Sequence, residues 1–146
     1  MNITVDDLMT ERVMTGTPGQ TVGQVRDVMN RNGIHTLPIV NPEGEPIGVV
    51  SASDLIAAKS DATPVRNVMT EKVHCIPRYS GVHIAARMMR NSHVHRLVVT
   101  HEPRVVGIIS SYDLLRLVED HRFVMKNPPT SSRKRGIVDM GAELDQ

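Results

Sequence analysis

Apolar positions along this chain change period in blocks, and the blocks come in a fixed order. Val22, Val25, Val28 and Met29 fall at the three- and four-residue spacing of one helix face. Thr21 stands ahead of them as an N-cap. Asn32-Gly33 stands behind as a stop, glycine suiting the left-handed backbone that closes a helix. Residues 36–40 and 46–51 read as strands flanking Asn41-Pro42-Glu43-Gly44-Glu45, which predicts a hairpin loop. Ser53-Asp54 then caps a helix carrying Leu55, Ile56 and Ala58. Ahead of all this, residues 5–9 predict a short helical lead-in. Residues 13–15 predict a short strand before the turn Gly16-Thr17-Pro18-Gly19.

The same order then returns. Val5-Asp6-Asp7-Leu8-Met9-Thr10-Glu11 reappears sixty residues on as Val65-Arg66-Asn67-Val68-Met69-Thr70-Glu71. The offset holds through His35 and His95. One residue is then lost, so that Gly48 answers Gly107 and Asp54 answers Asp113. Residues 73–76 predict a strand and 82–90 a helix with Ile84, Ala85, Met88 and Met89 inward. Residues 96–100 and 105–110 predict a hairpin about His101-Glu102-Pro103-Arg104, and a last helix opens at Asp113. Each unit is thus β-α-β-β-α, a three-stranded sheet with two helices, and the fold class is α+β. A unit of this size buries too little surface to stand comfortably alone, so the two are expected to close on each other as a pseudo-twofold pair around one cleft. The expected divisions are residues 1–60, 61–122 and a Pro-, Ser- and Arg-rich tail over 123–146.

Composition narrows what such a pair can do. Lys and Arg number 17 against 16 Asp and Glu, so no global charge favours nucleic acid. Phe123, Tyr79 and Tyr112 are the whole aromatic complement, too few for a base-stacking platform. Cys75 is the only cysteine, which fits a reducing compartment and excludes a disulfide within the chain. No run approaches the roughly 18 apolar residues of a membrane span, and the first residues do not read as a signal peptide. A cytoplasmic protein is expected. The seven histidines lack the paired spacing of a zinc site, so no metal is expected. No activated nucleophile or acid–base pair is evident, so the chain is not expected to be an enzyme. Met29, Met88 and Met89 read as core filling, and Arg133, Lys134 and Arg135 as a solubilising cluster.

The arrangement resembles a tandem pair of CBS domains, a Bateman module. The residues that carry the resemblance are Leu8-Met9-Thr10 and Val68-Met69-Thr70, Leu37-Pro38-Ile39-Val40, His95-Arg96-Leu97-Val98-Val99 and two strand-to-helix corners. The corners read Gly48-Val49-Val50-Ser51-Ala52-Ser53-Asp54 and Gly107-Ile108-Ile109-Ser110-Ser111-Tyr112-Asp113. The resemblance implies a cleft that binds an adenosine-containing ligand: AMP, ADP, ATP or S-adenosylmethionine. It implies no required cofactor. By resemblance, Asp54 and Asp113 would take the ribose hydroxyls, a pairing in which a carboxylate offers two acceptors. Ser51 and Ser110 would take phosphate, with His35, His95 and Arg96. Ile34 and Val94 would lie against adenine. The first unit has Thr36 where the second has Arg96, so unequal sites are expected. Tyr112 replaces Ser53 and would restrict or stack on the pocket beside it.

The function so implied is a stand-alone regulatory pair that reports an adenosine nucleotide to a protein partner. It would dimerise through Val and Met exposed on its helices. The alternative is a dimerising scaffold that binds no ligand, in which Asp54 and Asp113 serve only as helix caps.

Overall fold

The structure, a computed structural model, describes residues 2–11 and 13–122. The tail expected over 123–146, with its basic cluster, lies outside the described residues. Residues 1–116 form one compact unit.

The first repeat runs α1 (Val5–Leu8), α2 (Val22–Asn32), β1 (Thr36–Val40), β2 (Pro46–Ser51) and α3 (Ala52–Ile56). The second opens with a 3-10 turn, Val65–Asn67, in place of α1. It continues with β3 (Cys75–Pro77), α4 (Val82–Ser92), β4 (Arg96–His101), β5 (Arg104–Ser110) and α5 (Ser111–Glu119). Local chemistry explains the boundaries. Thr21 accepts the amide of Gln24 while Gln24 Oε1 accepts the amide of Thr21, a reciprocal cap that fixes the start of α2. Gly33 closes α2 at φ +62°. His93 closes α4 at φ +55° in the same left-handed conformation without glycine's freedom. Asn41 Oδ1 accepts the amides of Glu43 and Glu45 and so holds the first hairpin loop.

The hairpins are antiparallel, with Thr36 opposite Ser51 and Arg96 opposite Ser110. In the second repeat β3 adds in parallel to β4. In the first, residues 13–15 do not form the expected strand. The third position is a single parallel bridge at Gly16, which donates to Pro38 O and accepts from the Val40 amide, both at 2.9 Å. Pro18 lies just beyond and has no N–H to extend the ladder. The core is aliphatic: Val22, Val25, Met29, Leu37, Ile39, Val50 and Leu55 pack together around the first hairpin, and Ala85, Met89, Leu97, Val99 and Ile109 hold the matching places in the second. Burial of such side chains is what stabilises both halves, at roughly 1.5–3 kcal/mol each.

The sequence repeats are not self-contained, because each lead-in docks on the other repeat. Val5 donates to Ser80 O and Asp6 to Arg78 O, and Val82 donates back to Ile3 O. Reciprocally, Val22 donates to Thr63 O and Val65 to Gln20 O. Val65 is fully buried within the core of the first repeat. Beyond each lead-in, Thr10 pairs with Ile108 of the second hairpin and Thr70 with Val49 of the first. These crossings demand close approach. A β-carbon on Gly107 would stand 2.7 Å from both Met9 Sδ and Thr10 O, and one on Gly48 would stand 2.5 Å from Met69 Sδ. The duplicated Met-Thr and Gly positions are therefore two sides of one contact, made twice.

The large apolar side chains left exposed on helices are Ile56, Tyr112, Leu115 and Val118. The sequence reading gave this role to helical Val and Met. Of these, among the described residues, Val118 is exposed, while Val22, Val25, Met29, Val82 and Met89 are buried and Val28 and Met88 half-buried.

Candidate functional site

Two cavities open where the repeats meet. The first, of about 240 Å³, is lined by Ile34 and His35 at the entry to β1, by Arg96, Ser110 and Asp113, and by the lead-in residues Thr10, Val13 and Met14. The second, of about 230 Å³, is lined by Val94, His95 and Arg96 at the entry to β4, by Lys72, Val73 and His74, and by Thr36 and Val49 from the first hairpin. Arg96, Thr36 and Ile108 belong to both walls.

The first cavity is built from both repeats for a traceable reason. Thr10 donates to Ile108 O at 2.9 Å and accepts from the Ile108 amide at 3.2 Å, which brings the first lead-in to the second hairpin. Arg96 lies opposite Ser110 in the ladder, so the guanidinium and the strand-to-helix corner share one end of the sheet. Ser111 donates to His95 O at 2.8 Å, locking the corner to the start of β4. The corner itself is a reciprocal cap. Asp113 Oδ2 accepts the Ser110 amide at 2.8 Å and Ser110 Oγ accepts the Asp113 amide at 3.1 Å. Among the described residues nothing donates to Asp113 Oδ1, and the Ser110 hydroxyl proton has no assigned acceptor. A carboxylate at the first turn of a helix also adds its charge where the helix dipole favours it.

The first-repeat corner uses its groups differently. Asp54 Oδ2 accepts both the amide and the hydroxyl of Ser51, at 2.9 and 3.0 Å, and the Ser51 hydroxyl also lies 3.0 Å from Ser53 Oγ. The Ser51 proton is thereby engaged within the turn. The residues placed at this corner by sequence were Ser53-Asp54 as the cap. In the structure Ser51 is the N-cap and Asp54 stands three residues in, because Ser-x-x-Asp satisfies two amides at once. Neither Ser51 nor Asp54 lines either of these two cavities.

Of the sequence-predicted site residues, the structure therefore brings Ile34, His35, Arg96, Ser110 and Asp113 together at the first cavity and Val94, His95 and Arg96 at the second. It leaves Ser51 and Asp54 outside both. Tyr112, expected to crowd the pocket beside Asp113, is largely exposed and lines neither wall. Lys72 and His74 were not singled out by sequence, yet both line the second cavity. Their signal was the offset of sixty, which aligns 72–74 with 12–14 just ahead of the first strand position. Cys75, next along, is half-buried, and desolvation pushes its thiol pKa up. Among the described residues no three His, Cys, Asp or Glu gather as metal ligands. No described helix is long and apolar enough to cross a membrane.

The CBS domain model matches this chain twice, over residues 5–61 and 65–120. The chain belongs to the CBS domain family. CBS domain pairs among solved structures share its fold. The pair is similar to the inosine-5′-monophosphate dehydrogenase of Methanocaldococcus jannaschii, 32% identical over 112 residues, 76% of this chain and 23% of that one. Curated relatives of this kind are longer: the chain spans 23, 63 and 44% of three of them. Among solved structures, the cytosolic domain of the Mg²⁺ channel MgtE in complex with ATP is 30% identical. Its TM-score is 0.70, with 76% of this chain and 47% of that one covered. The CBS domain pair of protein MJ0100, in complex with 5′-methylthioadenosine and S-adenosylmethionine, shares the fold at a TM-score of 0.74. It is 22% identical, with 84% of this chain and all of that one covered.

Proposed function

We propose that this CBS pair is a cytoplasmic regulatory module that binds an adenosine nucleotide in the first cavity and reports its presence to a protein partner. One observation carries the reading. Asp113, Ser110 and Arg96 from the second repeat meet Ile34 and His35 from the first around a single cavity. Ile34 offers an apolar wall to adenine. Asp113 Oδ1 accepts the ribose hydroxyls while Oδ2 keeps the helix cap. Ser110, His35 and the Arg96 fork donate to phosphate, a geometry that suits guanidinium. That MgtE is seen with ATP and the MJ0100 pair with adenosyl ligands supports the ligand class. A ligand bridging both repeats changes their balance only if it prefers one arrangement of them, and that preference is what a partner would read.

Titration calorimetry of AMP, ADP and ATP against the wild type, Asp113→Ala and Asp54→Ala tests the assignment. Both substitutions remove the carboxylate half of a reciprocal cap and lower stability by about 1 kcal/mol. Only Asp113→Ala is expected to weaken nucleotide binding, tenfold or more. Equal loss in both variants, or in neither, refutes the assignment.

The homodimer belongs to the same proposal. Ile56 and Leu115 occupy matching places in the two repeats and are 83% and 58% exposed. Such a matched apolar pair suits an interface between copies.

A further inference from the structure

The two cavities differ in the chemistry of their walls more than their common origin suggests. The second carries Lys72, His74, His95 and Arg96, and among the described residues no carboxylate lines it. Asp54, which by duplication would be the counterpart of Asp113, stays outside with its Oδ2 committed to Ser51. A nucleoside entering there would meet the Lys72 and Arg96 cations and no carboxylate for its ribose hydroxyls. An anion would meet up to four donors, one of them the rigid guanidinium fork and one the compact ammonium of Lys72. Volume points the same way. Drug- and cofactor-sized ligands occupy sites of roughly 300–1,000 Å³, and each cavity alone, at about 240 and 230 Å³, falls short. Taken together they fall inside that range, and they adjoin, since Arg96, Thr36 and Ile108 line both.

We propose that the second cavity receives the phosphate chain of the nucleotide whose nucleoside sits in the first, with Arg96 at the crossing, so that one nucleoside 5′-polyphosphate fills both. The inference rests on the reading of the first cavity given above and adds two things to it. The chain selects by phosphate number, because only the β- and γ-phosphates reach Lys72 and His74. It binds one nucleotide per chain rather than one per repeat, because a second nucleotide would need Arg96 as well.

The experiment is titration calorimetry of the full chain with adenosine, AMP, ADP and ATP, on the wild type and on Lys72→Ala and Lys72→Ala/His74→Ala. Lys72 is exposed and His74 half-buried, so truncation leaves the core intact, and retained adenosine binding reports the fold. The expected result is one ATP per chain and ATP binding at least tenfold tighter than AMP. That margin shrinks to less than threefold in the double variant while adenosine binding is unchanged. Two ATP per chain overturns the proposal, as does an ATP-over-AMP margin that survives the double substitution. If adenosine and AMP bind but phosphate number makes no difference, the second cavity's role falls alone. If no adenosine compound binds at all, the first cavity's reading falls and takes this one with it.

Discussion

Replacing Gly107 and Gly48 in turn separates two contacts that the sequence makes look identical. The β-carbon of Gly107→Ala would lie 2.7 Å from Met9 Sδ and 2.7 Å from the backbone oxygen of Thr10. The three atoms nearest that of Gly48→Ala all belong to the Met69 side chain: Sδ, Cγ and Cε at 2.5, 3.0 and 3.1 Å. A thioether has three rotatable bonds and can swing aside. The Thr10 carbonyl cannot, because it accepts from Ile108 at 3.2 Å while the Thr10 amide donates back at 2.9 Å. Overpacking costs about 1–3 kcal/mol, and replacing a strand glycine by alanine recovers about 0.5–1 kcal/mol of backbone entropy. Gly48→Ala should therefore stay within about 0.5 kcal/mol of the wild type, and Gly107→Ala should lose about 2 kcal/mol. Urea unfolding measures both, with an unchanged slope confirming that only stability has moved. Equal losses, or a larger loss at Gly48, would refute the claim that an added β-carbon meets fixed backbone at the second hairpin's crossing and a movable side chain at the first's.

Three further outcomes are expected. His93→Gly should raise stability by about 1 kcal/mol, since the C-terminal cap of α4 holds a left-handed backbone with a β-carbon; no gain in the urea midpoint would mean that the exposed imidazole contributes something unseen. The Cys75 thiol has its folded pKa raised by desolvation, so its contribution is fully present below the unfolded value near 9.0 and is lost as pH rises through the folded value. Unfolding measured at neutral and at strongly alkaline pH should thus show a decline that Cys75→Ala reduces, and identical pH slopes for the two proteins would contradict it. Finally, Ile56→Glu/Leu115→Glu should convert a dimer to a monomer in sedimentation velocity without loss of helical signal; a dimer that survives would place the interface elsewhere.

The helices and hairpins were legible because their signals are local. Val22, Val25 and Met29 sit at helical spacing and are all buried, and Thr21 and Gly33 mark the limits of α2. The first strand at 13–15 failed for a local reason too: pairing with β1 is confined to Gly16, and Pro18 just beyond has no amide to extend the ladder. The corners were half legible. Ser-x-x-Asp is a capping signature, and reading it as such would have moved the cap from Ser53-Asp54 to Ser51. The exchange of lead-ins was out of reach, since nothing in Val5 or Val65 states which repeat will bury it. Lys72 and His74 were missed for the same cause: their place on a wall depends on the crossing of Thr70 with Val49.

The crossed lead-ins also set an order of events during synthesis. Val65 completes the first core as soon as it leaves the ribosome, ten residues after Leu55. Val5 is made first and waits longest, because its partner Ser80 lies seventy-five positions downstream. Contacts so distant in sequence form late, after loop-closure entropy has been met. Until then a nascent chain carries Val5 and Leu8 uncovered, so a pause in translation before residue 80 is the moment at which this protein is most exposed to misassembly or capture by a chaperone.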